Sequence, residues 1–161
     1  MSQLYDLFAN AFPPELAAFI ISMLPVVELR GGLIFSALLG IPFAKAFLLC
    51  YLGNILPIPF ILLFLRQIFA LLRRFKPTSR LVCKLEEKAR KGGKKLGRYE
   101  LLGLFIFVAV PLPGTGGWTG SLISVILDLQ IRRAFPTIAL GVLAAGGIMS
   151  LFTYLIPGLF F

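Results

Sequence analysis

The stretch PLPGTGGWTG, residues 111–120, decides the fold because it interrupts an apolar segment long enough to cross a membrane as a single helix. That segment runs without a charge from Leu101 to Leu127, and about 20 apolar residues suffice for a span. Its centre holds two prolines and four glycines, the residue types that interrupt a helix most strongly. The sequence therefore predicts a helix that is broken near the middle of a membrane.

The composition is that of an integral membrane protein. The 161 residues are 58% hydrophobic and 14% charged, with a mean hydropathy of +0.93, far from the balance of soluble domains. Two more uncharged segments, Ala46–Leu65 and Ala134–Phe161, are long enough to span, and we expect a single membrane domain over residues 1–161. There is no histidine and the two cysteines are far apart, so neither a metal site nor a disulfide framework is expected. No cofactor and no enzymatic activity are predicted.

The positive charge is concentrated between two apolar blocks. Residues 66–100 carry twelve basic and three acidic side chains, a net +9, while the rest of the chain is neutral. Because basic loops stay on the cytoplasmic side of a membrane, this segment is predicted to be cytoplasmic, and nucleic-acid binding is not expected. Its apolar spacing fits an amphipathic helix on the membrane surface, and the glycines at 92 and 93 fit a solvated connector equally well.

The two apolar blocks, residues 15–65 and 101–160, share an ordered series of features. Each has a proline-bearing apolar run, a Gly-Gly pair, a serine shortly after it, and a basic residue before Ala-Phe that is followed by a glycine. In the first block these are Gly31-Gly32, Ser36, Lys45-Ala46-Phe47 and Gly53; in the second they are Gly116-Gly117, Ser121, Arg133-Ala134-Phe135 and Gly141. We interpret the series as a repeat, against the alternative of chance similarity between apolar segments.

The positions of Arg132 and Arg133 distinguish between two possible membrane topologies. If each broken segment crossed the membrane fully, these arginines would lie outside, against the positive-inside rule. If each segment turns back to the side it came from, they lie in the cytoplasm beside the basic loop. The predicted fold is therefore an all-α integral membrane protein of two inverted repeats, each a re-entrant helical hairpin plus one transmembrane helix. Four plain spans are the alternative.

Glu28 and Arg30 are the first candidate site residues, since a charge inside an apolar block is costly and is usually paired or functional. Pro25 and the pair Gly31-Gly32 bracket them, which predicts an unwound tip with both side chains facing one cavity. Glu28 is predicted to carry a proton there, and Arg30 to bind an anionic group through its planar guanidinium. The alternative is a neutralising pair that only holds the hairpin tip.

The second tip supplies backbone groups and no acid or base. Successive N–H groups there form an anion-binding nest on one interpretation, and only a tight turn on the other. Trp118 is a candidate cavity wall, with an aromatic residue at the membrane interface as the alternative. Asn54 in the first span needs a hydrogen-bond partner. The predicted substrate- or proton-binding residues are Glu28, Arg30, Gly31, Gly32, Asn54, Gly114, Thr115, Gly116, Gly117 and Trp118. Asp128, Arg132 and Arg133 are predicted to form a cytoplasmic gate, with ordinary interfacial charges as the alternative.

Three motifs carry a resemblance to a known family: Val27-Glu28-Leu29-Arg30-Gly31-Gly32, Gly53-Asn54 with Pro57, and Pro111-Leu112-Pro113-Gly114-Thr115-Gly116. Over about residues 20–160 the chain resembles the "putative small multidrug export proteins", a short prokaryotic membrane family. That family is grouped with the DedA/VTT superfamily, whose members have paired re-entrant hairpins and are implicated in moving undecaprenyl phosphate or phospholipids across membranes. The resemblance implies Glu28 and Arg30 as cavity residues and a location in the prokaryotic inner membrane. The second tip lacks the arginine of the DedA pattern, so no phosphate site is carried over to residues 111–120.

The predicted function is ion-coupled transport, with protons or sodium as the ion and an anionic lipid or lipid phosphate, such as an undecaprenyl-phosphate-like carrier, as the substrate. A proton-coupled exporter of lipophilic cationic drugs is the second hypothesis, and Arg30 counts against it because it repels cations. A non-transporting membrane scaffold that docks through the basic loop is the third. Membrane lipids are the expected partners, and a homodimer is predicted because two spans and two hairpins enclose little volume.

Overall fold

The computed structural model describes residues 12–72, 87, 99–112 and 114–155, and this part of the chain is helical with no strand. The predicted all-α class is therefore confirmed. The helices are α1 (Pro14–Met23), α2 (Glu28–Leu38), α3 (Phe43–Ile55), α4 (Ile58–Leu72), α5 (Tyr99–Ala109), α6 (Gly117–Ile126) and α7 (Ile131–Ser150), which a π-helical turn, Leu151–Leu155, continues. Most of the basic segment 66–100 lies outside the described residues, as does its predicted amphipathic helix.

Two helical stretches, Phe43–Leu71 and Ile131–Tyr154, are long and apolar enough to cross a membrane. Both begin three residues before the predicted spans, because Lys45 and Arg133 lie within the first helical turn and do not limit the helix. The residue before each helix, Pro42 or Gln130, is extended, which sets the true start. Residues 156–161 of the second predicted span lie outside the described part of the chain.

The first stretch is interrupted near its middle by proline. Pro57 separates α3 from α4 and has no N–H to donate, yet its carbonyl accepts from the N–H of Ile61 at 2.9 Å and so begins α4. The predicted break between Leu101 and Leu127 is also present, since α5 ends at Ala109 and α6 begins at Gly117.

Two turns of the same kind end α2 and α6. Each contains one residue with positive φ, Gly40 at 69° and Asp128 at 53°. The next N–H after it donates back into the helix, from Ile41 to the Ser36 carbonyl at 3.0 Å and from Leu129 to the Ser124 carbonyl at 2.9 Å. This is the Schellman pattern, which satisfies carbonyls that a helix end leaves unpaired.

Each turn also accepts a hydrogen bond from a side chain near the carboxyl-terminal end of the long helical stretch in the other half. The Tyr154 hydroxyl donates to the Ile41 carbonyl at 3.3 Å, and the Arg66 guanidinium donates to the Leu129 carbonyl. We name the two ends of the molecule the Ile41 end and the Leu129 end after these carbonyls. The α3–α4 stretch runs from the Ile41 end to the Leu129 end, and α7 runs the opposite way.

Equivalent contacts in the two halves lie 88 positions apart. Positions 66 and 154 differ by 88, as do positions 41 and 129, so the two bonds to the turns are counterparts. The bond from the Tyr51 hydroxyl to the Ala139 carbonyl, at 3.4 Å, joins a position directly to its own counterpart. Close packing repeats in the same way: a Cβ at Gly146 would lie 3.0 Å from Leu29, and one at Gly117 would lie 2.9 Å from Ile58.

This separation corrects part of the sequence comparison. Ser36 was matched with Ser121, whereas the turns match it with Ser124. The Gly-Gly pairs are likewise not counterparts: the position equivalent to Gly32 is Gly120, and a Cβ at either glycine would overlap a side chain of the neighbouring helix, Ser22 or Val108. The two pairs occur at different places in α2 and α6, so matching the letters introduced a shift of three residues.

Candidate functional site

The first helix break places a buried acid at the start of α2. The chain turns over residues 24–27, and the Glu28 N–H donates to the Leu24 carbonyl at 2.9 Å. Glu28 has φ of 52°, a left-handed conformation that costs a side-chain-bearing residue on the order of 1 kcal/mol or more. Its side chain is nevertheless buried, with 5% of the residue exposed. The strain is tolerated because this conformation carries the carboxylate into the second half.

The Glu28 carboxylate binds the first N–H groups of α6. The Trp118 N–H donates to Glu28 Oε1 at 3.2 Å, and the Gly117 N–H also bonds to this carboxylate. These groups have no partner within their own helix and carry the positive end of its dipole, so they stabilise a carboxylate. Glu28 therefore caps a helix that belongs to the other half of the chain.

Gly116 leaves the space that this carboxylate occupies. A Cβ at Gly116 would overlap Oε2 of Glu28, and the backbone there has φ of 131°, which side chains rarely adopt. Position 116 is also the counterpart of position 28, so both breaks have a positive φ at the same place.

Arg30 binds the carboxyl-terminal end of α5, the helix that precedes the second break. Its guanidinium donates to four backbone carbonyls at the end of α5 and in the segment that follows. The acceptors are Leu112 at 2.6 Å, Thr115 at 3.0 Å, Val110 at 3.1 Å and Val108 at 3.2 Å. A helix end leaves such carbonyls unpaired and carries partial negative charge, so a cation with several donors stabilises it.

The sequence predicted an unwound segment here, whereas residues 28–38 form α2; Glu28 and Arg30 do line one small cavity. Gly31 and Gly32 lie inside α2, and both charged side chains bind backbone of the second half. Glu28 and Arg30 form no ion pair with each other, because each is bound by a helix end of opposite sign. The predicted nest of N–H groups does bind an anion, and that anion is the carboxylate of Glu28.

Trp118 makes the reciprocal contact from the second half. Its indole N–H donates to the carbonyl of Met23, the last residue of α1, at 3.2 Å. Positions 30 and 118 differ by 88, so Arg30 and Trp118 are counterparts that each cap the first helix of the other half. The sequence predicted Trp118 as a cavity wall, a binding residue or an interface aromatic, and the 88-residue separation was the signal that could have paired it with Arg30.

Thr115 and Gly114 shape the second turn. The Thr115 hydroxyl lies 2.8 Å from the carbonyls of both Val110 and Leu112, and Gly114 has φ of 83° with open space beside its Cα. Their side of the tip thus presents carbonyl oxygens to Arg30, whereas Gly116 and Gly117 present N–H groups and room to Glu28.

Asn54 adds an unpaired oxygen at the same place. The residue is 1% exposed and its Oδ1 has no hydrogen-bond partner. It lines a small cavity together with Glu28, Arg30 and Gly116, and a Cβ at Gly117 would lie 3.0 Å from this oxygen. Such an atom costs about 1–3 kcal/mol unless a water or an ion binds it. The counterpart position holds Val142, so this polar group exists in one half only.

The predicted gate residues lie elsewhere. Asp128 is exposed in the turn after α6, and Arg132 and Arg133 are exposed in the first turn of α7, at the Leu129 end. The structure does not bring them to the two tips. Among the described residues, no three His, Cys, Asp or Glu side chains gather as metal ligands would.

A wide apolar groove of about 940 Å³ opens beside the tips, and of its lining only Trp118 was predicted as a cavity wall. We name it the α4–α6 groove. Its walls are the first tip at Met23 and Pro25, the α4 side from Leu56 to Gln67, and Trp118, Thr119 and Leu122 of α6. Its volume falls within the range of roughly 300–1,000 Å³ that is typical of ligand sites.

Two broken helices whose ends are capped across the halves, together with two long apolar helices, define an all-helical membrane protein with polar groups at its centre. The family described as "Putative small multi-drug export protein" matches residues 28–148, from Glu28 through both tips into α7. The chain belongs to this family, which indicates a role in export and a transporter rather than an enzyme. No curated protein and no solved structure matches the chain.

Proposed function

We propose that this protein is an ion-coupled transporter built from two inverted repeats, and that its substrate is an anionic lipid or a lipid phosphate. The observation that carries the proposal is the set of contacts exchanged between the halves at a separation of 88 residues. Inverted repeats with broken helices at the midplane are the plan of many secondary transporters, in which one repeat moves against the other.

The contacts support re-entrant hairpins. The Lys45 ammonium donates to the Glu15 carboxylate at 2.8 Å, so the start of α1 lies at the Ile41 end, where α2 also finishes. In the second half, α5 packs along α7 with Phe105 and Val108 beside Gly141, and the proposal places the start of α5 towards the Leu129 end. Each hairpin then returns to the side from which it came.

The exchanged bonds offer a way to alternate access. The bond from Tyr154 to Ile41 holds the halves together at one end, and the bond from Arg66 to Leu129 holds them at the other. Opening one end while the other stays closed would expose the tips to one side of the membrane at a time. Glu28 is the proposed proton carrier, because it is the buried acid of the tip, and Asn54 is the proposed second ligand for a proton-bearing water or a sodium ion.

The lipid substrate is tested with purified protein in liposomes. Translocation of a fluorescent polyprenyl phosphate is measured by the fraction protected from a membrane-impermeant quencher, with a fluorescent phosphatidylcholine as the comparison. We expect protein-dependent translocation of the lipid phosphate that accelerates when a pH gradient is imposed. The variant Glu28→Gln should lose the response to the gradient, whereas Arg132→Gln, a change at an exposed arginine, should keep it. Protein-dependent transport of the phosphatidylcholine alone, or none at all, would refute the proposal.

A second candidate is export of lipophilic compounds, which the family description and the uncharged lining of the α4–α6 groove both favour. In the same liposomes, extrusion of a lipophilic cationic dye without any movement of lipid phosphate would select this function. We further propose that the transporter acts as a homodimer in a prokaryotic inner membrane with the basic segment in the cytoplasm.

A further inference from the structure

The α4–α6 groove has the length of one half of a membrane. It begins at the tips, where Met23 and Trp118 line it, and follows α4 from Leu56 to Gln67. Eleven helical residues rise about 17 Å, and the hydrocarbon core of a bilayer is about 30 Å thick. The groove therefore reaches from the centre of the membrane to the headgroup level at the Leu129 end.

The charges differ between the two ends of this groove. Its lining carries no Asp, Glu, Lys or Arg, and Gln67 is its outermost polar residue. Arg66 stands beside that outer end, half-buried, with one nitrogen on the Leu129 carbonyl, and a guanidinium has five N–H donors. The exposed Arg132 and Arg133 lie in the first turn of α7, close in sequence to the same turn. A molecule that fits this groove has an apolar part as long as half the thickness of a membrane and an anionic group at the membrane surface.

We propose that the α4–α6 groove binds one acyl chain of an anionic phospholipid from the leaflet at the Leu129 end, with its headgroup held by Arg66. The chain terminus lies against Trp118 and Thr119 at the tips, and the phosphate lies at the level of Gln67. Binding of this lipid rests on the proposed function only in treating the tips as membrane-embedded, and it is measured without any transport.

The protein carries its own probe for this site. Trp118 is the single tryptophan of the chain, its indole N–H is fixed on the Met23 carbonyl, and its ring lines the groove. The purified protein is reconstituted in phosphatidylcholine vesicles, and Trp118 fluorescence is titrated with phosphatidylglycerol or phosphatidylcholine brominated on the acyl chain. We expect brominated phosphatidylglycerol to quench at about fivefold lower mole fraction, the preference that one basic residue near a membrane surface provides. Bromines near the chain terminus should quench more than bromines near the headgroup.

Two variants assign the headgroup contact. Arg66→Gln should bring the preference for phosphatidylglycerol close to one, and Arg66→Lys should keep most of it. Lys45→Gln, at the Ile41 end, is the matched loss of one positive charge and should leave the preference unchanged. The depth series on the unaltered protein needs no variant, so the proposal is still tested if Arg66→Gln does not fold.

Several results would overturn the proposal. Equal quenching by the two lipids means that the groove has no anionic site, and quenching strongest for bromines near the headgroup means that the chain does not reach the tips. Quenching that weakens as the protein-to-lipid ratio rises assigns the groove to a second copy of the chain. A clear lipid preference without translocation would instead retain the site and reject the proposed transport.

Discussion

The two helix breaks are stabilised by different chemical groups. The first tip supplies titratable side chains, Glu28 and Arg30, whereas the second supplies backbone carbonyls, from Val108 to Leu112 and at Thr115, and the N–H of Trp118. At the second break, α5 ends with unpaired carbonyls of partial negative charge, and α6 begins with unpaired N–H groups of partial positive charge. Arg30 binds the carbonyls and Glu28 binds the N–H groups. The reverse contact is weaker, a single neutral hydrogen bond from Trp118 to Met23.

This asymmetry shows how charges can be buried in a membrane without an ion pair. Leaving one partner of a buried charge unpaired costs about 3–5 kcal/mol, so the fold needs a partner for each charge. Helix ends serve as partners, because their unpaired groups also need hydrogen bonds where water is excluded. The charges and the breaks therefore stabilise each other, and neither tip is expected to hold its shape alone.

The largest effect is expected from Gly116→Ala, which breaks the contact between the tips from the second side. The added Cβ overlaps the Glu28 carboxylate and must adopt φ of 131°, so both the capping contact and the backbone suffer. We expect a loss of at least about 4 kcal/mol in the free energy of unfolding. Unfolding in a denaturing detergent titration measures it. Gly103→Ala is the control, because open space surrounds that exposed helical glycine, and it should be neutral or slightly stabilising.

Arg30→Gln breaks the contact from the first side. The substitution removes the donors for four carbonyls, two of them in part-buried contacts, and a carbonyl without a partner costs about 1–3 kcal/mol when water cannot replace the donor. We expect a loss of about 3 kcal/mol in the same titration, and a partial recovery with Arg30→Lys, which keeps the charge but not the planar fork. Arg132→Gln should change the stability by less than about 0.5 kcal/mol. Equal losses for positions 30 and 132 would show that the carbonyl contacts contribute nothing.

Much of this arrangement could be predicted from residue type. Proline and glycine mark the breaks, the uncharged runs mark the long helices, and the isolated Glu28 and Arg30 mark the important tip, because each of these signals acts locally. What those side chains bind could not be predicted, since backbone partners have no signature in the sequence. Arg30 was predicted to bind an anionic group, and the four backbone carbonyls that it binds in the structure could not be foreseen for this reason.

The repeat was predicted from matching residue types, and the Gly-Gly and serine matches were shifted by three residues for a related reason, whereas the matches at Lys45–Phe47 and Gly53 have the separation of 88. Some positions that are equivalent at the 88-residue separation hold chemically different residues. Examples are Arg30 and Trp118, Arg66 and Tyr154, and Asn54 and Val142. Residue type alone does not reveal these pairs, whereas the 88-residue separation of Lys45-Ala46-Phe47 from Arg133-Ala134-Phe135 gives them. The α4–α6 groove was missed because its walls come from three helices that are distant in the sequence.

Trp118→Phe tests the weaker, reciprocal contact. Phenylalanine keeps an aromatic ring and removes only the N–H that binds the Met23 carbonyl. A single neutral hydrogen bond contributes about 1 kcal/mol, so the loss should be about a third of that for Arg30→Gln. A loss as large as that of Arg30→Gln would contradict the difference between the tips. Because the variant has no tryptophan, stability is followed by circular dichroism in parallel with the unaltered protein.

Asn54→Val replaces the unpaired amide by the residue that its counterpart position already holds. If no water or ion binds Oδ1, removing a buried oxygen without a partner should raise the free energy of unfolding by up to about 1 kcal/mol. The proposed function predicts that the same variant lowers the response of transport to an ion gradient. A variant that loses stability and keeps full transport would show that Asn54 is structural.

The smallest effect on stability is expected from breaking the ion pair between Glu15 and Lys45, which lies outside the tips. Glu15 and Lys45 form an ion pair at 2.8 Å, but both side chains are largely exposed, so water competes with the contact. The hydrogen bond from Lys45 lowers the pKa of Glu15 from its ordinary value of 4.5. A lowered pKa in the folded state means that the pair adds stability above pH 4.5 and that this stability is lost as the pH falls below that value.

Melting temperatures of the unaltered protein and of Lys45→Gln, measured between pH 7 and pH 3, check this expectation. The two curves should differ slightly at neutral pH and converge in acid, whereas Arg30→Gln should stay well below both at every pH. A drop for Lys45→Gln as deep as that for Arg30→Gln would mean that exposed charges stabilise this fold as strongly as those bound to helix ends. The contrast between the tips and the periphery would then lose its physical basis, because burial and backbone capping would no longer separate them.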